Sequence, residues 1–566
     1  MLNNLTTEQG ERLLRDKEQP WNTYPRPQMR RENWMNLNGW WEFAVSEDRP
    51  EKYDRKILVP FCPESSLSGI GEHFAEGTGL WYRREFALGE RNDEGRVLLH
   101  IDASDYETDV YINGSHAGHH VGGYEAMSFD ITQFLRGDNE IVVYVKDDLR
   151  SNVQPYGKQT LKRGGMWYTP VSGIWQTVWL EQVPQHYIHS LSITNRGNSV
   201  TVDVGDAGLS GKVTVPSVGE FPVVEGKVTI TPENPRLWSP EDPYLYDMTV
   251  EAGDDIVHSY FALRQIETNT VNGIPRLCLN GQPYFFHGLL DQGYWSDGLL
   301  TPSAPECYEQ DILSMKKLGF NMLRKHIKVE ADRFYYDCDR LGMVVFQDMV
   351  NNGDYNFFRD TALPTIGIQK LKDKNLHRDQ TTRAAFVSGM EATVRQLKNH
   401  PSILYWTIFN EGWGQFDSSA MYKKLQVMDD TRWIDSTSGW FRGGLTDVES
   451  IHCYFKKYQF KKDQKPVVLS EFGGFSHGVE GHVFNTGKSY GYGSCPDLEA
   501  LESRVQSLYW NEIIPAAKQG LCAAVYTQVS DVEDEINGIL TYDRRVVKLT
   551  ADGMLPIAEA LRNAVK

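Results

Sequence analysis

From Glu267 onward the chain alternates short apolar strands with amphipathic helices, a pattern absent from the residues before it. Residues 305–317 have helical periodicity and stop at Leu318-Gly319, a C-cap signal, and Phe320-Asn321-Met322-Leu323-Arg324 reads as the next strand. Residues 331–340 read as a second helix stopped at Leu341-Gly342, Met343 to Asp348 as another strand, and residues 381–397 as a longer helix. The roughly 300 residues after Glu267 can supply eight such units, the usual size of a (β/α)8 barrel. With Tyr284-Phe285-Phe286-His287 as strand one, Tyr405-Trp406-Thr407-Ile408-Phe409-Asn410-Glu411 is the fourth strand. Trp433-Ile434-Asp435-Ser436-Thr437 is then the fifth and Ser450-Ile451-His452-Cys453-Tyr454 the sixth. Val467-Val468-Leu469-Ser470-Glu471 is the seventh and Ala523-Ala524-Val525-Tyr526-Thr527 the eighth.

In such barrels, polar side chains at the strand C-termini build the active site. The strand ends here carry His287, Arg324 with His326, Asp348, Asn410 with Glu411, His452 with Tyr454, Glu471, and Tyr526 with Gln528; Asp291 follows in the segment after strand one. Two acids, Glu411 and Glu471, each close a buried-strand pattern, and a carboxylate pair at short range is what cleavage of a glycosidic bond needs. The acid must hold a proton near neutral pH, which burial and a neighbouring negative charge favour; the nucleophile must stay ionised, which Arg324 and Tyr454 favour. Asn410 suits a sugar 2-hydroxyl, and Trp413 and Trp440 suit sugar faces, with core packing as the competing reading. For Arg324 and His326 the competing reading is a structural ion-pair cluster, and for Asp348 a loop cap. The run Glu533-Asp534-Glu535 reads as a solvated face. Cys453 lies between His452 and Tyr454, but alternation sends it to the other side of the strand, so no metal site and no cofactor is expected.

Residues 1–183 read as short strands and turns without long helical periodicity, hence a β-sandwich. Asp109-Val110-Tyr111-Ile112 runs into Asn113-Gly114, a hairpin signal. Residues 184–267 remain all-β, and a stretch of that size suits an immunoglobulin-like sandwich. Residues 268–566 form the barrel.

The chain has 566 residues with a net charge of -18, which argues against nucleic-acid or anionic-membrane partners. Seven widely spaced cysteines suggest neither a disulfide framework nor a zinc site. The polar N-terminus lacks the apolar core of a signal peptide, and a cytoplasmic location is the default expectation, although a chain whose leader had been removed would read the same way.

At these residues the chain resembles glycoside hydrolase family 2, the group of β-galactosidases, β-glucuronidases and β-mannosidases. The likeness runs over nearly the whole length. It is carried by Trp34-Met35-Asn36-Leu37-Asn38-Gly39-Trp40-Trp41, Gly79-Leu80-Trp81-Tyr82-Arg83-Arg84, Gly122-Gly123-Tyr124-Glu125, Ser172-Gly173-Ile174-Trp175-Gln176, Leu237-Trp238-Ser239-Pro240 and Asn410-Glu411. The resemblance implies a jelly-roll sugar-binding domain, an immunoglobulin-like sandwich and the barrel, in that order. It implies that Glu411 is the acid/base and Glu471 the nucleophile of a retaining double displacement, with a carbohydrate substrate and a homo-oligomer built through the β domains. Strand one runs into Gly288-Leu289-Leu290-Asp291-Gln292-Gly293 and lacks the Asn-Arg-His-Glu-like segment of the β-galactosidases, so that loop's substrate contacts do not transfer and the metal site of the large β-galactosidases is in doubt. The Asn-x-Lys motif with which β-glucuronidases grip the sugar carboxylate is missing; Asn485-Thr486-Gly487-Lys488 has one residue too many. That lowers the expectation of a uronide. A β-galactosidase-like exo-β-glycosidase is the expected activity, with a β-glucuronidase or another β-glycosidase second, and an inactive carbohydrate-binding protein as the reading from another class.

Overall fold

A computed structural model of the chain describes residues 2–89, 95–363, 368, 373–440 and 444–565. The first domain is a sandwich of two antiparallel sheets. The smaller has the order Trp34–Asn36, Val178–Val183, Arg96–Ile101, Met127–Asp130. The larger has the order Arg55–Val59, Gly39–Val45, Gly79–Ala87, Asp138–Lys146, Glu107–Ile112, Ser115–Val121. Alternate residues, among them Trp41, Phe43, Tyr82, Leu99, Ile101 and Val143, meet between the sheets. The Asn113-Gly114 turn has φ of 50° and 83°, as a two-residue hairpin loop requires. Gly173–Ile174 forms a short strand apart from Val178–Val183.

A helix at Glu8–Asp16 stands where only strands and turns were expected. Thr7 caps it by accepting from the Gly10 N–H, and Asp297 of the barrel holds Thr7 in turn. Its anchor lies 290 residues away, which no local pattern reports.

Between sandwich and barrel lies a second, smaller sandwich. A three-stranded sheet (Ser192–Arg196, Ser199–Asp203, Lys227–Ile230) faces a four-stranded one (Gly219–Val223, Gly211–Val215, Tyr246–Ala252, Asp255–Phe261) over a valine-rich core.

The barrel has eight parallel strands: Phe286–Asp291, Met322–Lys325, Val344–Asp348, Ile403–Thr407, Trp433–Asp435, Glu449–Cys453, Val467–Phe472 and Leu521–Thr527. Backbone pairing is continuous except between the fifth and sixth strands. Side chains span that gap: Ser438 and Ser450 are 3.2 Å apart through their hydroxyls, and both reach the Ser470 hydroxyl. Helices follow strands one to four and strand eight, and a helical run from Leu498 joins strands seven and eight; among the described residues no helix follows strands five and six. Phe286, Leu290, Met322, Val344, Phe346, Leu404 and Val468 fill the interior.

The first strand runs further than the sequence pattern suggests. It spans Phe286–Asp291, so His287 lies near its N-terminal end rather than at the mouth. The ring of His287 sits beside Phe320 and Tyr509, with Nδ1 at 3.2 Å from the Gly319 carbonyl, outside the barrel. All seven cysteines are buried and unpaired. Among the described residues no helix is long and apolar enough to cross a membrane.

Candidate active site

The ends of the fourth and seventh strands bring Glu411 and Glu471 together. Beyond Thr407 the fourth strand's chain keeps its direction through a bridge from Asn410 to Ser438, and the Glu411 N–H donates to the Ser438 carbonyl at 2.8 Å. Glu411 has φ of 51° and is followed by Gly412 at 78°. A left-handed backbone at a non-glycine residue costs about 1–3 kcal/mol, and here it turns the carboxylate into the barrel mouth. Glu471 ends a strand that turns at Gly473, where a Cβ would lie 2.3 Å from the Tyr526 ring, so only glycine fits. One oxygen of each glutamate and Nδ1 of His452 all lie within 4.8 Å of one another.

The surroundings distinguish the two acids. Glu471 Oε1 accepts from Arg324 at 3.1 Å, and Oε2 accepts from the Tyr454 hydroxyl at 2.5 Å. Burial and the neighbouring Glu411 push the Glu471 carboxyl up, while His452, the Arg324 guanidinium and the Tyr454 hydroxyl oppose the rise. Among the described residues no lysine or arginine pairs with Glu411 directly. Its Oε1 shares a hydrogen bond with His452 Nδ1 at 2.7 Å, and burial lifts its carboxyl to about 7, with Lys158 and Arg324 acting against the rise. Burial depresses His452 to about 4, so the ring is neutral at pH 7. Its Nε2 lies 3.1 Å from the Ser438 hydroxyl and 3.5 Å from Arg324.

Arg324 organises the floor. It is fully buried and grips Asp348 with two nitrogens at 3.0 Å each. It also donates to Asn410 Oδ1 at 2.9 Å and to the Ser470 carbonyl at 3.0 Å. Among the described residues Asn410 Nδ2 has no hydrogen-bond partner. Burial also raises the Asp348 carboxyl, opposed by Arg324.

His326 is set from a distance. Glu535 can only accept, from the Tyr168 hydroxyl at 2.5 Å and from Asn537 Nδ2 at 3.0 Å. That orients Asn537 to accept from Gln528 at 3.0 Å, and Gln528 to accept from Gln292 at 2.7 Å. Gln292 is left to accept from His326 Nδ1 at 2.9 Å. The bare Nε2 of His326 then faces the pocket, 3.6 Å from Glu471 Oε1.

A loop of the first domain closes the mouth. The Tyr156 N–H donates to the Asn351 carbonyl at 3.0 Å, and its hydroxyl to the Gly353 carbonyl at 2.7 Å. Gly157, at φ 63°, passes so close to the Ile327 carbonyl that a Cβ would lie 2.7 Å from it. Lys158 and Trp167 follow from this loop. The Trp167 ring lies 5.1 Å from Trp413 and 5.0 Å from Tyr355. The run Glu533-Asp534-Glu535, read from sequence as solvated, is buried instead. Arg163 pairs with Glu533 and Asp534, the Thr169 N–H with Glu533, and Tyr168 with Glu535, which fastens the loop to the barrel.

Of the residues singled out from sequence, Glu411, Glu471, Asn410, Arg324, His326, Asp348, Trp413, His452 and Tyr454 converge on this pocket, and Trp440 lies against His452 with ring centroids 5.4 Å apart. Tyr526 does not converge. Val525 and Thr527 take the inward positions, so Tyr526 points outward, where its hydroxyl accepts from the Phe475 N–H. Asp291 also faces outward, pairing with Lys325 at 2.6 Å between strands and helices. Lys158, Trp167, Tyr355 and Tyr492, which stacks on Tyr454 at 3.8 Å, escaped the sequence reading. A Gly-Lys step and a Gly-Gly-Met-Trp turn before the Ser172-Gly173-Ile174-Trp175 motif were the available signals.

The chain was compared with known proteins. Residues 70–184 match the sugar binding domain of glycosyl hydrolases family 2, residues 186–264 match a further domain of that family, and residues 275–483 match its TIM barrel domain. A β-galactosidase of Thermoanaerobacter pseudethanolicus is 26% identical over 427 residues, covering 69% of this chain and 53% of that protein. A putative β-glucuronidase of Formosa agariphila is 25% identical over 492 residues, covering 77% and 54%. The chain thus spans about half the length of these relatives. A solved β-glucuronidase from an uncultured Clostridium superposes with a TM-score of 0.72 at 18% identity, over 95% of this chain and 99% of that one.

Proposed function

The chain belongs to glycosyl hydrolases family 2, and on that premise we propose that it is a glycoside hydrolase that removes terminal β-linked sugars by double displacement with retention, through Glu471 and Glu411. Glu471 attacks the anomeric carbon while Glu411 gives its proton to the departing glycosidic oxygen, leaving a glycosyl ester on Glu471. Water then attacks the same carbon, Glu411 takes a proton from it, and the ester bond to Glu471 breaks. The observation that carries this reading is the approach of the two carboxylates within 4.8 Å, a spacing suited to a nucleophile and too short for an intervening water. The division of roles rests on Arg324 and Tyr454, which stabilise charge on Glu471, and on burial, which holds a proton on Glu411. Asn410 Nδ2 and His326 Nε2 are suited to the glycone hydroxyls. The galactosidase and glucuronidase readings share this machinery and differ only in the glycone.

Proton NMR of the first-formed sugar during hydrolysis of a nitrophenyl β-glycoside tests the mechanism. The β-hemiacetal appearing first is the expected result; the α-anomer appearing first overturns the reading.

A further inference from the structure

Four lysines are almost fully buried among the described residues: Lys158, Lys325, Lys328 and Lys548. Three have several oxygen partners each. Lys325 is held by Asp291 and Glu330, Lys328 by Glu330 and two carbonyls, and Lys548 by Asp531 and two carbonyls. Lys158 has none. Its ammonium stands 4.8 Å from the Trp413 ring, 5.5 Å from Trp167 and 5.9 Å from Tyr168, at only 6% exposure. Rings steady a cation but leave its three N–H donors unsatisfied, and a buried charge without an acceptor is costly.

The place matters as much as the vacancy. Arg324 is already taken up by Asp348, Asn410 and Glu471. Lys158 is thus the uncommitted cation of the pocket among the described residues. Trp413, which it overlies, is 6.3 Å from the His326 ring, and His326 is 3.6 Å from Glu471. Lys158 thus stands over a ring that borders the pocket holding His326 and Glu471.

We propose that Lys158 binds a carboxylate on the glycone, so that this chain acts on β-linked uronic acids, recognised by a cation supplied from the first domain rather than from the barrel. The proposal rests on the glycosidase reading above for its reaction but not for its binding. A carboxylate meeting the ammonium completes its hydrogen bonds and replaces an unpaired buried charge with a neutral pair. Neutral sugars offer only a hydroxyl there.

Two measurements test this. Tryptophan fluorescence of the full chain, read through Trp413 and Trp167, is titrated with D-glucuronate, D-galacturonate, D-glucose and D-galactose. At least one uronate binds about tenfold or more tightly than its neutral counterpart, and Lys158→Met abolishes that preference while Lys158→Arg keeps part of it. In parallel, kcat/KM is measured on nitrophenyl β-uronides and the matching neutral glycosides. The uronide-to-neutral ratio exceeds about a hundred in the wild type and falls about a hundredfold in Lys158→Met, the scale of one lost charged hydrogen bond. Neutral sugars bound as tightly as uronates by the wild type overturn the proposal without any variant, and so does a ratio untouched by Lys158→Met. Selective uronate binding without hydrolysis of any glycoside would sink the glycosidase reading, and with it the action on uronides, and leave only carboxylate binding by Lys158 standing. Hydrolysis of neutral glycosides without uronate binding does the reverse.

Discussion

Replacing Glu411 with glutamine keeps the side chain's shape and removes its ionisation. In the wild type, burial lifts this carboxyl to about 7, so its protonated fraction is near one half at neutral pH and falls about tenfold for each further pH step. A general acid contributes about 10²–10⁴ in rate when the leaving oxygen needs a proton, about 3–5 kcal/mol of the barrier. Glu411→Gln therefore loses about that factor in kcat/KM on alkyl glycosides. On dinitrophenyl glycosides, whose leaving group departs without help, kcat/KM changes less than about tenfold. Turnover on those substrates still slows, because the second step has lost its base. The alkaline limb of kcat/KM, centred at about 7 in the wild type, disappears in the variant. The same substitution affects stability. A carboxyl raised from 4.5 to about 7 on folding destabilises the fold as pH climbs through that window, by about 3 kcal/mol once it is ionised. Glu411→Gln lacks that loss and melts higher than the wild type at about pH 8, but not at about pH 4. Steady-state kinetics with graded leaving groups from about pH 5 to about pH 9, and thermal melts at the two pH values, supply the data. An equal loss on good and poor leaving groups, or an alkaline limb that survives in the variant, refutes the assignment of the acid.

Glu471→Ala loses at least about 10⁴ in kcat on every leaving group while its circular dichroism matches wild type, and a variant within tenfold of wild type rules Glu471 out as nucleophile. Arg324→Met strands Asp348, a buried carboxylate, and costs about 3–5 kcal/mol, read as a lowered denaturation midpoint; Asp348→Asn in the same chain restores part of it. Gly157→Ala drives a Cβ against the Ile327 carbonyl and lifts the first-domain loop; KM rises more than kcat falls, checked by initial rates. Lys158→Met also removes the charge that most opposes the rise of Glu411, so the alkaline limb of kcat/KM moves up from about 7.

The barrel was legible because its helices end in Leu-Gly steps and its strands are apolar through and through, which leaves polar residues conspicuous at the ends. Alternation then decides which of those residues face inward, and alternation depends on where a strand starts. Reading the first strand as 284–287 instead of Phe286–Asp291 put His287 at the mouth and left Asp291 as a contact, yet both face the helices. Tyr526 failed by one position, since Thr527 holds the inward site and meets the Tyr454 hydroxyl at 2.8 Å. Glu533, Asp534 and Glu535 looked solvated because three adjacent acids usually are. Their partners Arg163, Tyr168 and Thr169 lie more than 360 residues away in another domain, beyond any pattern local to the run. Lys158 was hidden by the same distance.

The first domain therefore bears on the chemistry as well as on the assembly. Glu535 fixes the polarity of the amide chain that aims His326 Nε2 at the pocket, and the same carboxylate is tied to Tyr168 on the loop that delivers Lys158. Lys158 in turn tempers the proton affinity of Glu411. Docking of this one loop thus sets two properties of the pocket together: how strongly Glu411 holds its proton, and where the Lys158 charge stands. A barrel cut away at residue 268 would keep both glutamates and Arg324 but lose Lys158, Trp167 and Tyr168. Its two carboxylates would then stand in a wetter pocket, and the burial that holds a proton on Glu411 would weaken.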